Sequence, residues 1–373
     1  MSTEDPITKV TMPKWSLSMT SGKVTDWIVA EGDEVAEGDE LADVDTDKIA
    51  GALEAPGPGV VRRIIAGVNE DIPVGGTIAL IAPADVPEEL IDEAARAARE
   101  QLDTGAVEEV PGPVTGVVRV DGRAISFATL GEGEQTVLLV HGYGGDKNSW
   151  LFVQEPLSAQ ATVHAIDLPG HGESAKDVGD GSLDTLAGAV LGFLQQQGIG
   201  QVHLVGQSLG GAVVTAVAAR EPGKVASLTL VAPAGFGDAI DAGYLRGFAS
   251  ATSRRELKPV LTKLFADPAQ VTRQLTDDLM KYKRLDGVQQ ALDTLLGTLL
   301  DGDRPGTDAS DLLDQVRAPV QVVWGRADQV LPVGNADALP NSARVSYVDD
   351  AGHMVHMEKP SAVVDAVAKK LEE

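Results

Sequence analysis

Cysteine is absent from the 373 residues of this sequence. Its absence excludes disulfide bonds, thiolate metal sites and a cysteine nucleophile, and nothing else in the sequence predicts a metal site. Any thiol chemistry must therefore come from a cofactor or a substrate. Because a chain without disulfides fits a reducing compartment, we predict a cytoplasmic location.

Long apolar runs and basic residues are also scarce. No apolar run approaches the roughly 20 residues that a membrane helix needs, and the N-terminus lacks the pattern of a secretory signal. Lysine and arginine number 30 against 56 acidic residues, and the resulting net charge of −26 argues against nucleic acid and anionic membranes as partners. The remaining composition, 43% hydrophobic and 23% charged, is that of a globular protein long enough for two domains.

The N-terminal part contains an internal repeat. Residues 22–44 match residues 59–81 without a gap, so that Gly22 falls on Gly59 and Val44 falls on Ile81. The repeated segments are rich in β-branched residues and punctuated by glycine and proline, which indicates short strands. Two such halves predict a pseudo-symmetric β-sandwich.

A polar hairpin connects the two repeats. A strand that ends near Val44 leads into Asp45-Thr46-Asp47-Lys48, and a second strand begins at Ile49. Residues 26–47 hold ten acidic residues and no basic one, so Lys48 stands alone beside an acidic stretch. This arrangement projects a single amine away from the domain.

The repeat and the Asp47-Lys48 pair together resemble the lipoyl domains of 2-oxo-acid and acetoin dehydrogenase complexes, over residues 5–83. The resemblance implies an all-β lipoyl-binding domain over residues 1–85, with lipoic acid attached to Lys48 by a lipoate-attaching enzyme. Biotinyl domains are the alternative, but they carry methionine on both sides of their lysine, where this sequence has Asp47 and Ile49.

Residues 86–113 differ in character from what precedes them. Leu90, Ile91, Ala94 and Ala98 follow Pro87 at helical spacing, which predicts one short helix with a weak apolar face. The proline, glycine and acidic residues after the helix favour a linker.

From residue 114 to residue 373, strand-like and helix-like segments alternate. The strands are continuous apolar runs such as TVLLV and VHLV, which are typical of a mainly parallel sheet covered by helices on both faces. Residues 236–315 interrupt this rhythm with polar helical sequence. We predict that they form an inserted cap.

Three residues of this second domain form a candidate catalytic triad. Ser208 lies in Gly-Gln-Ser-Leu-Gly between an apolar strand and a small-residue helix, the context of a nucleophile elbow. His353 follows a late strand, and Asp328 lies between the two in sequence after another strand. The triad logic makes His353 the base and Asp328 its partner. Asp349 and Asp350 are alternative acids, and His356 is an alternative base.

An oxyanion hole needs two backbone N–H groups beside the nucleophile. Leu209, directly after Ser208, supplies one candidate. The sequence His-Gly-Tyr-Gly-Gly after an earlier strand supplies the other at Tyr143. His141 and His171 are interpreted as structural residues.

These features together resemble the α/β-hydrolase family over residues 116–371. A lipoyl domain fused to such a domain is similar to the acyltransferase (E2) component of the acetoin dehydrogenase complex. The resemblance implies a multidomain protein that moves an acetyl group from lipoyl-lysine to coenzyme A through an acyl-serine. It also implies a thiamin-diphosphate-dependent E1 and a dihydrolipoamide dehydrogenase (E3) as partners.

The sequence departs from most E2 proteins because it lacks both a His-x-x-x-Asp-Gly motif and a subunit-binding domain signature. Residues 244–284 hold nine basic and four acidic residues, and we predict that Arg254 and Arg255 receive the coenzyme A phosphates. Two other functions stay open. The protein would be an esterase or thioesterase if water accepted the acyl group. It would be a carrier and scaffold if the second domain were catalytically silent.

Overall fold

The computed structural model of the chain describes residues 6–14, 19–45, 50–105 and 112–372. Two compact units are present, Met1–Gly112 and Pro113–Glu373. Lys48 lies outside the described residues.

The first unit is a sandwich of two four-stranded sheets. Its strands are β1 (Thr8–Thr11), β2 (Ser21–Trp27), β3 (Glu34–Val35), β4 (Glu40–Asp45), β5 (Ala50–Glu54), β6 (Gly59–Ile64), β7 (Asp71–Pro73) and β8 (Thr77–Ala82). One sheet has the order β1-β8-β6-β3 and the other β5-β4-β2-β7. Strands β2, β3 and β4 of the first repeat correspond to β6, β7 and β8 of the second. The two sheets therefore have equivalent orders, and the predicted pseudo-symmetric sandwich is confirmed.

The two repeats interlock. Strand β3 of the first repeat pairs with β6 of the second, and β7 of the second repeat pairs with β2 of the first. Neither half can therefore complete a sheet alone. Strands β4 and β5 form an antiparallel pair in which Asp45 is opposite Ala50.

Helix α1 (Glu88–Thr104) belongs to the first unit and packs against its sandwich. Its Ile91 is fully buried in a cluster with Ile7 and Leu80, and Arg62 of β6 donates a 2.6 Å hydrogen bond to Glu88. From the sequence the helix was expected to be part of a linker, and its packing on the sandwich was not expected. The weak apolar face suffices because the acidic first turn meets arginine side chains of the sheet.

The second unit contains an eight-stranded sheet. Its strands are β9 (Val114–Val120), β10 (Arg123–Leu130), β11 (Gln135–Val140), β12 (Ala161–Ile166), β13 (Val202–Gln207), β14 (Val225–Val231), β17 (Val320–Gly325) and β18 (Arg344–Val348). Their order is β18-β17-β14-β13-β11-β12-β10-β9. The pairs from β18 to β12 are parallel, whereas β10 pairs antiparallel with both β12 and β9. The predicted mainly parallel sheet is confirmed.

Helices connect most strands of this sheet, and one long helical segment is inserted in the chain between two of them. The helices are α2 (Leu151–Ser158), α3 (Leu183–Gln196), α4 (Leu209–Arg220), α5 (Ala242–Ser250), α6 (Arg254–Leu261), α7 (Arg273–Lys283), α8 (Val288–Leu299), α9 (Ser310–Leu313), α10 (Val355–Glu358) and α11 (Pro360–Leu371). Helices α5 to α9 and the short hairpin of β15 (Leu300–Asp301) and β16 (Arg304–Pro305) lie between β14 and β17. We call this insertion the cap. Within the described residues, no helix has both the length and the apolar character needed to span a membrane.

Candidate active site

Ser208 occupies a sharp turn between β13 and α4. Its backbone has φ 52° and ψ −120°, a left-handed conformation that a non-glycine residue adopts only where its surroundings impose it. The flanking glycines explain how the turn closes. A Cβ on Gly206 would lie 2.4 Å from the carbonyl oxygen of Gly210, and a Cβ on Gly210 would lie 2.2 Å from that of Val140. The elbow motif is therefore required by backbone contact on both sides of the serine.

Asp328 and His353 form a hydrogen-bonded pair. Both follow strands at the same edge of the sheet, β17 and β18, and His353 Nδ1 lies 2.8 Å from Asp328 Oδ2. The other carboxylate oxygen, Oδ1, accepts hydrogen bonds from the backbone N–H groups of Val330 and Leu331 at 2.8 and 2.9 Å. Because a carboxylate only accepts, Nδ1 of His353 carries a proton, and in the neutral ring Nε2 has a lone pair. That nitrogen is the one a base would use.

Gln207 connects the serine turn to the histidine. Its side-chain amide donates a hydrogen bond to the carbonyl oxygen of His353, at 3.2 Å. Gln207 precedes Ser208, so the backbone of the nucleophile and that of the base are joined through one buried side chain. This residue could not be recognised from the sequence, because the position before the serine is variable in the motif.

The loop after β11 lies directly beside the serine. A Cβ on Gly142 would lie 2.8 Å from the Cβ of Ser208, so only glycine allows this approach. His171 Nε2 accepts a hydrogen bond from the backbone N–H of Gly144 at 3.0 Å, and His141 Nε2 accepts one from that of Leu168 at 3.0 Å. Both imidazoles shape the loop.

Burial keeps these two histidines neutral. Burial lowers the pKa of His171 to about 3, with a further contribution from His141, and lowers the pKa of His141 as well. A neutral ring can accept a backbone N–H bond, whereas a protonated one cannot. The structural interpretation of both residues therefore agrees with their contacts.

Residues of the cap also contact the loop after β11. The hydroxyl of Tyr143 donates to the carbonyl of Leu292 in α8, at 3.0 Å. The ring of Phe248 in α5 packs against Gly144, where a Cβ would lie 2.4 Å from it. Lys283 in turn donates to the carbonyl of Phe248 at 2.6 Å. The candidate oxyanion loop is thus clamped between the nucleophile and the cap.

The alternative acid and base lie elsewhere. Asp349 is exposed and pairs with Arg326 at 2.8 Å. His356 is fully buried against the ring of Trp150, with 4.3 Å between ring centroids, and burial lowers its pKa to about 3. Among the candidates, only Asp328 contacts His353.

The predicted phosphate-binding residues are both on α6. Arg254 and Arg255 are exposed, and Arg254 pairs with Asp277 of α7. Elsewhere on the cap, Lys281 pairs with Asp278 at 2.8 Å. Part of the positive charge counted from sequence is therefore neutralised by neighbouring carboxylates.

Each of the two units matches a known protein family. A family model described as "alpha/beta hydrolase fold" matches residues 135–360, and the Biotin_lipoyl model, described as "biotin-requiring enzyme", matches residues 8–81. Among solved structures, a bacterial membrane phospholipase A superposes with a TM-score of 0.61 and 25% identity, over 76% of this chain and 92% of that chain.

Two curated relatives match nearly the whole chain. Both are named dihydrolipoyllysine-residue acetyltransferase component of acetoin cleaving system. The protein from Cupriavidus necator is 45% identical over 353 residues, which cover 95% of this chain and 94% of the relative. The protein from Pseudomonas putida is 46% identical over 356 residues, 95% of each. The chain belongs to the family of the dihydrolipoyllysine-residue acetyltransferase components of acetoin cleaving systems.

Proposed function

We propose that this protein transfers an acetyl group from a lipoyl-lysine to coenzyme A, with Ser208 as nucleophile and His353 as base. The observation that carries the proposal is the Asp328–His353 hydrogen bond at 2.8 Å. The backbone of this histidine is joined through Gln207 to a serine turn held at φ 52°. The matching of a lipoyl-type unit in the same chain supports the acyl donor.

The residues divide the reaction into two steps. Nε2 of His353 takes the proton of Ser208 as Oγ attacks the carbonyl carbon of an acyl thioester, and it then returns this proton to the departing thiolate sulfur. In the second step, His353 takes the proton of the coenzyme A thiol, and the coenzyme A sulfur attacks the carbonyl carbon of the acyl-serine. Ser208 recovers its proton from His353 as the acyl–oxygen bond breaks.

The backbone N–H groups of Tyr143 and Leu209 are the proposed oxyanion hole. Both lie next to the serine. Gly142, which precedes Tyr143, closely approaches the Cβ of Ser208, and Leu209 follows Ser208 directly as the first residue of α4. Donors fixed before the reaction stabilise the negative oxygen of each tetrahedral intermediate without reorganisation. The clamping of this loop by the cap serves that purpose.

Lys48 is the proposed attachment site for lipoic acid. The strands on either side of its segment are paired as a hairpin, with Asp45 opposite Ala50, which suits an amine presented to an attaching enzyme. The bound group would supply a thiol that carries the acyl group. We further propose that a thiamin-diphosphate-dependent E1 and dihydrolipoamide dehydrogenase are partners. The names of the relatives, each a component of an acetoin cleaving system, support the presence of further subunits.

The test of the reaction starts from acetyl-CoA and free dihydrolipoamide. We expect acetyl-dihydrolipoamide to form much faster than free acetate, and Ser208→Ala to abolish the transfer. Ser342→Ala, which changes an exposed serine of the same unit, serves as the control. Acetate as the only product, lost in Ser208→Ala, would instead establish a thioesterase and overturn the transferase.

The coenzyme A site is tested separately. Reversing the charge of Arg254 and Arg255 together should raise the Michaelis constant for coenzyme A about tenfold, equivalent to ~1.4 kcal/mol, and leave that for dihydrolipoamide unchanged. Arg317→Glu, an exposed position outside the cap helices, is the control. An unchanged constant in the double variant would remove these arginines from the site.

A further inference from the structure

Glu358 is a buried carboxylate next to the candidate base. It ends α10 and is 5% exposed. Its Oε2 accepts a 2.8 Å hydrogen bond from the backbone N–H of Gly352, the residue before His353. Its Oε1 accepts a 2.6 Å hydrogen bond from the backbone N–H of Ala266, which belongs to the cap. One carboxylate thus bonds the histidine loop and the cap at the same time.

The cap segment and the histidine loop also touch directly. The carbonyl of Leu264 accepts hydrogen bonds from the backbone N–H groups of His353 and Met354, at 2.8 and 3.2 Å. A Cβ on Gly352 would lie 2.8 Å from both the Leu264 oxygen and the Ala266 nitrogen. The two backbones are therefore packed as closely as glycine allows, and Glu358 lies where they meet.

The backbone around His353 is held on three sides. Its own N–H bonds to Leu264, its carbonyl accepts from Gln207, and the preceding N–H bonds to Glu358. The first two contacts are between neutral groups, whereas the third is made by a carboxylate that is charged when it is ionised. A charged acceptor makes a hydrogen bond roughly twice as strong as a neutral one.

The environment of Glu358 shows what these bonds do. Burial raises the pKa of Glu358 to about 7, and the N–H groups of Ala266 and Gly352 act in the opposite direction. A buried carboxylate without partners is strongly unfavourable. The two N–H groups offset this cost only when both lie within reach, so the carboxylate favours the one arrangement in which the loop and the cap are together.

We propose that Glu358 is a positioning residue for His353, which fixes the imidazole by holding the Gly352 backbone against the cap segment at Ala266. The proposal rests on the proposed function of His353 as the base. Rotation of the Gly352–His353 peptide would swing the imidazole about its own backbone and displace Nε2 from the serine. A displacement of about 1 Å at a reacting atom can cost on the order of 10²-fold in rate.

The experiment measures the reactivity of Ser208 directly, with a fluorophosphonate that labels activated serines. Labelling is followed at pH 8.5, where Glu358 is ionised, in Glu358→Gln, Glu358→Asp and the unaltered protein. The glutamine presents an amide N–H₂ to one of the two N–H donors, and the aspartate is one methylene too short to reach both. Asp365→Asn, an exposed position on α11, removes one charge without these contacts and is the control.

We expect both Glu358 variants to lower the maximal labelling rate constant about 10- to 100-fold. The half-saturating probe concentration should change less than about twofold, and Asp365→Asn should match the unaltered protein. The melting temperature is measured in parallel, so that the second variant carries the test if the first does not fold. The acetyl transfer turnover should fall by the same factor, with an unchanged Michaelis constant for the donor.

The outcomes separate the two proposals. Variants that melt earlier yet label at the unaltered rate would show that Glu358 only stabilises the fold, and would overturn the positioning role alone. A failure of the unaltered protein to be labelled at Ser208, judged against Ser208→Ala, would overturn the serine nucleophile and the positioning role with it.

Discussion

Asp328→Asn is the substitution that tests the candidate triad most sharply. In the structure, Oδ1 of Asp328 accepts from the N–H groups of Val330 and Leu331, and Oδ2 faces His353. An asparagine must keep its oxygen toward the two N–H donors, because turning its amide toward them would lose two hydrogen bonds of about 1 kcal/mol each. Its N–H₂ group therefore faces Nδ1 of His353.

This orientation reverses the tautomer of the imidazole. Nδ1 must accept a hydrogen bond from the asparagine, so the proton moves to Nε2, which can then no longer take a proton from Ser208. In serine proteases, the equivalent change lowers turnover by about 10⁴-fold. We expect a loss of about 10³- to 10⁴-fold here, which corresponds to ~4 to 5.5 kcal/mol in the activation free energy.

The assay is the rate of acetyl transfer from acetyl-CoA to dihydrolipoamide, with the rate of serine labelling beside it. Asp349→Asn is the matched control, since Asp349 is the nearby alternative acid and pairs with Arg326 instead. We expect this control to stay within about twofold of the unaltered protein. A loss below tenfold in Asp328→Asn, or a larger loss in Asp349→Asn, would refute the assignment of the acid.

Two further outcomes follow from close contact and from burial. Gly142→Ala should lower the rate of acetyl transfer about 100-fold and the free energy of unfolding by about 1–3 kcal/mol, because its Cβ would lie 2.8 Å from that of Ser208. Gly223→Ala, which has open space around it, is the control and should change neither quantity in the same rate and melting assays. Burial lowers the pKa of His356 from 6.5 to about 3. Its contribution to stability is therefore complete above pH 6.5, and it declines by about 1.4 kcal/mol per pH unit as the pH falls toward 3. His356→Phe should remove that part of the acid sensitivity, which urea unfolding followed by tryptophan fluorescence at pH 7.5 and 5.5 measures. The free energy of unfolding of the variant, relative to that of the unaltered protein, should be higher at pH 5.5 than at pH 7.5, and an equal difference at both pH values would contradict the reasoning.

Local patterns in the sequence predicted the architecture well. The repeat of residues 22–44 and 59–81 predicted the sandwich because the same apolar spacing produces the same strands in each half. The elbow at Ser208 was recognisable because a strained turn between a strand and a helix needs glycine on both sides. The lipoyl attachment at Lys48 lies outside the described residues and stays a prediction.

Other features depended on residues that are far apart in sequence. The packing of α1 on the first unit depends on Arg62 and Glu88, which are ordinary surface residues until the chain folds. The sequence does not reveal that Arg254 pairs with Asp277, so the number of unpaired positive charges on the cap is smaller than the count from sequence.

The sequence by itself determined the two domains, the order of the candidate serine, aspartate and histidine, and the glycines of the turns, since these depend on spacing along the chain. Only the tertiary structure decided which carboxylate accepts the hydrogen bond of His353. Asp328 and Asp349 both follow strands, but Asp328 is bonded to His353 and Asp349 to Arg326. The tertiary structure also decided that Glu358 bonds the histidine loop to the cap. Hydrogen bonds need atoms within about 3 Å, and only the folded chain brings residues 92 positions apart, such as Ala266 and Glu358, to that distance.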